Sequence, residues 1–132
     1  MIDTKYKYSD VTERIIGCAI KVHNYLGSGF MEVVYQRALA IEMQKANLQF
    51  LREQEMPILY EDRQIGIRRV DFFVENQILV EIKAVATMEK VHLAQAINYL
   101  ESFDKEIGLL VNFGSKSLEF KRLTNRKFVA PV

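Results

Sequence analysis

The chain has 132 residues, 49% of them hydrophobic and 27% charged, a formal net charge of +1 and one cysteine. That length suits one domain with a core of its own, and the balance excludes a disordered or fibrous chain. The near-neutral charge neither demands nor excludes a nucleic-acid partner, since the placement of charge decides that. Cys18 alone allows no intrachain disulfide and fits a reducing compartment. The first eight residues have no apolar core, so no signal peptide is expected. No run approaches the ~20 apolar residues of a membrane helix. The expectation is a single domain over residues 1–132, soluble and cytoplasmic.

Asp10-Val11-Thr12-Glu13 reads as a capping box, with Asp10 as N-cap. Val11, Ile15, Cys18, Ala19, Val22 and Leu26 then recur at helical spacing, and Gly27 ends the helix. Cys18 falls on the apolar stripe and reads as a core thiol. His23 has no second ligand at metal spacing and reads as a surface or half-buried helix residue. After the joint Gly27-Ser28-Gly29, a second helix is expected from about Phe30 to Ala46. Its apolar positions are Val34, Ala38, Leu39, Ile41 and Met43, and Asn47 stops it. Glu32 lies in its first turn, where a carboxylate either complements the helix dipole or is delivered to a metal. Tyr35 is one turn on, on the same side.

Leu48 to Tyr60 is strand-like, and Pro57 within it marks an edge strand or a bulge. Glu61-Asp62-Arg63-Gln64 is a polar turn, followed by strands over Ile65 to Val74 and Ile78 to Ala84. Met88 to Phe103 is a third helix with the apolar stripe Leu93, Ile97 and Leu100. A mixed stripe of His92, Gln95, Tyr99 and Phe103 runs beside it. The apolar run Glu106 to Phe113 suits a strand buried on both faces. Coming after a helix, it implies a crossover and parallel pairing. Leu118 to Leu123 is a last edge strand. From Lys116 onward, Lys116, Lys121, Arg122, Arg126 and Lys127 outnumber Glu119. Such a basic cluster either meets phosphates or solvates an edge. The order helix, helix, three-strand meander, helix, strand gives an α/β fold of α+β type, a mixed sheet flanked by helices.

The chemistry concentrates in the hairpin. Glu81 and Lys83 share one strand face, Val80 and Ile82 the other. If Val74 pairs with Ile78 across Glu75-Asn76-Gln77, Asp71 falls opposite Glu81. Facing carboxylates repel and ask for a cation. Oxygen ligands suit Mg²⁺ or Mn²⁺ rather than zinc, and the carbonyl of Ile82 is a further candidate ligand. Lys83 beside the ion would orient a water or neutralise phosphate charge. The plain alternative is an exposed Glu81–Lys83 ion pair, which contributes little.

Asp71 followed by Glu81-Ile82-Lys83, then a helix and an apolar strand, resembles the active-site signature of the PD-(D/E)XK nuclease superfamily. Gly29-Phe30-Met31-Glu32-Val33-Val34-Tyr35 resembles the Gly-x-x-Glu-x-x-Tyr heptad of the GxxExxY family within it. The resemblance also takes in Ile15-Ile16-Gly17, Val22-His23, Leu26-Gly27, Gln95 to Tyr99-Leu100 and Gly108 to Gly114. It implies a restriction-endonuclease-like core and Mg²⁺-dependent (or Mn²⁺-dependent) phosphodiester hydrolysis in DNA or RNA. By position, Glu32, Asp71 and Glu81 would hold the metal with the carbonyl of Ile82, and Lys83 would be the catalytic lysine. Gln95 and Tyr99 would match a Gln-x-x-x-Tyr helix beside the site. Val70 stands where many members have proline before the aspartate. The alternative function is a non-catalytic nucleic-acid- or partner-binding module that keeps the fold. A chain this small that cuts duplexes would suit a homodimer.

Overall fold

The computed structural model describes residues 8–131. The reading of the first residues as free of a signal peptide falls largely on residues 1–7, outside the described residues. The elements run α1 (Ser9–Leu26), α2 (Glu32–Lys45), β1 (Phe50–Tyr60), β2 (Arg63–Val74), β3 (Ile78–Lys83), α3 (Lys90–Ser102), β4 (Ile107–Asn112) and β5 (Glu119–Thr124). One five-stranded sheet has the order β1-β2-β3-β4-β5. Among the described residues β3 and β4 form its one parallel pair, because α3 carries the chain back across the sheet between them. β4 is buried at all of its positions, as its unbroken apolar run demands. Among the described residues, no helix is long and apolar enough to cross a membrane.

The expected stripe of α1 faces inward: Val11, Ile15, Cys18, Ala19 and Val22 are buried, and Gly27 (φ 69°) ends the helix in a backbone region that glycine enters freely. The capping box does not form there. The helix starts two residues earlier, at Ser9, with Tyr8 as N-cap and Thr12 Oγ1 donating back to the carbonyl of Ser9 (3.1 Å). α2 starts at Glu32 rather than Phe30, and Asn47 stops it with φ 59°. Its inward face differs from the expected one. Tyr35, Gln36, Leu39, Ala40 and Met43 are buried, while Ile41 is 57% exposed. On α3 the buried line is Ala96, Leu100 and the following Phe103, and Ile97 sits at its rim.

Two cores sandwich the sheet. The larger, under α1 and α2, takes Phe72, Val74, Ile78, Val80, Ile82, Leu109 and Val111. The smaller, under α3, takes Val70, Phe73, Leu79, Leu110 and Leu123. α3 lies so close to β4 that a Cβ on Gly108 would stand 2.9 Å from Leu100. β1 is an edge strand, as Pro57 indicated, and its register with β2 shifts after Ile58. The polar turn is tighter than expected. Tyr60 pairs with Arg63, and only Glu61 and Asp62, both at positive φ, lie between them.

Candidate active site

The meander has the expected register. Val74 pairs with Ile78 and Phe72 with Val80, across a turn in which Glu75 and Asn76 take positive φ and Gln77 N–H donates to Val74 O (2.9 Å). Beyond Phe72 the ladder passes to side chains. The N–H of Asp71 donates to Glu81 Oε1 (3.2 Å), and the N–H of Ile82 donates to Asp71 Oδ2 (2.8 Å). Each carboxylate thus replaces a backbone acceptor of its own strand, and the two acids interlock at the point where β2 and β3 part.

β2 also changes phase there. Phe72 enters the larger core, yet Val70, two residues away, enters the smaller. Strict alternation would put both on one face. On β1, Arg52 pairs with Phe72 and Gln54 with Val70, while Glu53 between them sits at φ 51°. Such an irregularity turns a strand and re-aims a side chain. It lets Asp71 meet both Glu81 from β3 and Gln36 from α2.

Glu81 is only 7% exposed. Burial first, and then the charge of Asp71, push its carboxyl up to about 8; Lys83 and the Asp71 N–H pull the other way. Burial likewise raises Asp71, against hydrogen bonds from Ile82 and Gln36 and the charge of Lys83. Glu32 is raised by desolvation and then by Asp71, opposed by Lys83 and, more weakly, by His92. Glu32, Asp71, Glu81 and Lys83 therefore form one electrostatic group, with α2 bringing the first, β2 the second and β3 the last two.

Two neighbouring devices hold this group. Tyr35 is fully buried; its hydroxyl donates to Gly27 O (2.6 Å) and accepts from Phe30 N–H (3.2 Å), and its ring stacks on Phe113 at 4.8 Å. It ties down the joint that aims Glu32, and it points into the core rather than alongside Glu32. Beyond Lys83, whose carbonyl accepts from Phe113 N–H (2.9 Å), the chain is clamped by Asn112. This side chain accepts from Val85 and Gly114 N–H and donates to Val85 O and Glu119 Oε1. A Cβ on Gly114 would collide with the backbone of Ala84 and Val85.

Residues 9–123 match the family model of the PD-(D/E)XK nuclease superfamily. The chain belongs to that superfamily. No curated protein matches it. Among solved structures, the crystal structure of SSO0001 is similar, with a TM-score of 0.56 and 21% identity over 88% of this chain. At that identity the likeness concerns the fold, and the chain spans 58% of SSO0001.

In the PD-(D/E)XK frame, Asp71 and Glu81 meet directly, Ile82 adjoins them through its N–H to Asp71, and Glu32 and Lys83 lie within electrostatic reach. Gln95 and Tyr99 stand apart. Gln95 is exposed on α3, and the Tyr99 ring lies beneath the Arg68 guanidinium, 4.0 Å from it. Among the described residues, neither hydrogen-bonds to Glu32, Asp71, Glu81 or Lys83. In the basic tail, Lys127 pairs with Glu101 (2.9 Å). His23 is more buried than expected and bonds Ser115 O through Nε2 (3.0 Å). Sequence reasoning missed Gln36, which donates to Asp71 Oδ1 (2.8 Å), and His92, which acts on Glu32. The available signal was spacing, since Gln36 follows Glu32 by four residues and shares its helix face.

Proposed function

We propose that the chain is a metal-dependent nuclease that hydrolyses phosphodiester bonds in DNA or RNA, with Mg²⁺ or Mn²⁺ held by Asp71, Glu81 and the carbonyl of Ile82, and Glu32 completing the ligand set. The observation that carries this is the interlocked pair Asp71–Glu81. A buried acid pushed up to about 8, Glu81, faces a half-buried one, Asp71, with Lys83 on the same strand face as Glu81. The pair is costly to ionise as it stands, and a hard cation offsets that cost. The donor set fits one: all oxygen, acidic, and free of the thiols and imidazoles that zinc sites collect. Among the described residues, no three acidic, His or Cys side chains already converge as a ligand cluster. Asp71 and Glu81 supply the pair, and Glu32 stands within electrostatic reach.

Such an ion supplies positive charge that polarises a phosphoryl oxygen and makes a nearby water more acidic. The protein does the rest. Glu81 must lose its proton before it can act as a ligand, so the site gains competence as pH rises toward 8. Lys83, on the same strand face as Glu81, places an ammonium where it can orient the attacking water and neutralise phosphate charge. We read Gln95 and Tyr99 as flanking the substrate path from α3. We also place the chain in the GxxExxY family. The support is that its heptad combines a glycine joint, a carboxylate within electrostatic reach of the site, and a tyrosine that locks the joint.

Incubation with DNA and RNA substrates in Mg²⁺, Mn²⁺ or EDTA tests the reading. Cleavage that needs the metal, and that Glu81→Ala or Lys83→Ala abolishes, is expected. Nucleic acid bound equally well in EDTA and never cut would point instead to a binding module.

A further inference from the structure

Asp71 is held from a direction that the two-strand signature does not contain. Gln36 is buried on α2, 6% exposed. Its Nε2 donates to Asp71 Oδ1 (2.8 Å), and its Oε1 accepts from Arg52 Nη2 (2.9 Å) on β1. A guanidinium only donates, so the amide oxygen of Gln36 must face Arg52 and its NH₂ must face Asp71. The chain of hydrogen bonds therefore has one direction, from Arg52 through Gln36 to Asp71. We propose that Gln36, fixed by Arg52, is the positioning residue that sets the Asp71 carboxylate for cation binding. This inference rests on the metal-site reading above.

The two oxygens of Asp71 are held separately. Oδ2 takes the backbone N–H of Ile82, and Oδ1 takes Gln36. With both bonds the carboxylate plane cannot rotate; with one it can. Each oxygen keeps a second lone pair for a cation. Partners of this kind, which orient a ligand without touching the metal, typically change affinity about 10–100-fold when removed. α2 thus serves the site twice, through Glu32 and through Gln36 one turn later. Arg52 extends the hold to the edge strand, at the irregularity beside Glu53 that lets Asp71 turn.

The test is Mn²⁺ titration of the metal-free protein by calorimetry at pH 8, on wild type, Asp71→Ala, Gln36→Met and Arg52→Met. Methionine keeps the length of Gln36 and removes its hydrogen bonds. Gln36→Met is expected to weaken Mn²⁺ binding by about 10–100-fold, with its melting temperature in EDTA close to wild type. The half-saturating Mg²⁺ for cleavage should rise in step, while the rate at saturating Mg²⁺ largely recovers. Arg52→Met, on an exposed strand, should give a smaller loss in the same direction, and it decides the matter alone if Gln36→Met fails to fold. Asp71→Ala should lose Mn²⁺ binding; if it does while Gln36→Met and Arg52→Met bind Mn²⁺ as tightly as wild type, the inference is overturned and the metal site stands. A wild type that binds no Mn²⁺, alone or with an oligonucleotide, would overturn the metal-site reading and this inference with it.

Discussion

Two buried polar clusters sit at the carboxyl ends of β3 and β4, whose Lys83 and Asn112 pair directly, and they follow opposite rules. Asn112 is fully buried and makes four hydrogen bonds, two as acceptor and two as donor. That uses the whole amide. Glu81 is almost as buried, yet it faces another acid, and its carboxyl is driven far from its ordinary value. A polar group that completes its bonds serves the fold. One that is left under electrostatic strain marks chemistry. The first cluster fixes the backbone after Lys83, and the second holds the charge that the site uses.

Breaking the two clusters should therefore damage different properties. The largest effect belongs to the acidic one. Asp71→Ala, Glu81→Ala or Lys83→Ala should each lower metal-dependent cleavage by at least ~100-fold, with circular dichroism unchanged. Gel assays of single-turnover cleavage measure this. Asn112→Ala strands the N–H groups of Val85 and Gly114 inside the protein and should cost roughly 3 kcal/mol, read as a lower urea midpoint.

Glu81→Gln sharpens the contrast by moving stability the other way. The folded-state value near 8 lies above the ordinary 4.5, so between those pH values the folded state holds a proton that the unfolded chain has released. Metal-free stability is therefore full below about 4.5 and falls as pH rises to about 8. One pKa unit is worth about 1.4 kcal/mol, and after allowing for the amide's own burial Glu81→Gln should gain about 2 kcal/mol at pH 9 in EDTA. Its stability should also vary less with pH across that window. The smallest effect is expected for Tyr35→Phe. The ring keeps its stack on Phe113 but loses both hydrogen bonds to the glycine joint, costing about 1 kcal/mol.

The sequence carried the parts that local spacing decides. The three-residue turn put Asp71 opposite Glu81, the period of α1 chose its buried face, and the apolar run of β4 foretold a central strand. What lay hidden depends on contacts between distant elements. Gln36 looks like an ordinary surface residue until α2 is laid against the sheet, where its amide meets Asp71. Tyr35 shares the helix face of Glu32 by sequence, yet the tight joint at Gly27 and the ring of Phe113 draw it into the core. The change of face at Asp71 sits opposite Glu53 of β1, which takes positive φ, and no pattern within β2 reveals it. At α1 the N-cap is Tyr8 in a left-handed conformation, so Asp10 lies inside the first turn rather than at its cap.

Thermal melting at pH 8 in EDTA, Mg²⁺ and Mn²⁺, run on wild type and Glu81→Ala, tests the central claim most directly. A bound ion at 100 times its dissociation constant stabilises by about 2.7 kcal/mol. The account predicts a metal-dependent rise in the wild type that disappears in Glu81→Ala. An equal rise in both proteins, or none in the wild type even with an oligonucleotide present, would contradict a cation held between Asp71 and Glu81.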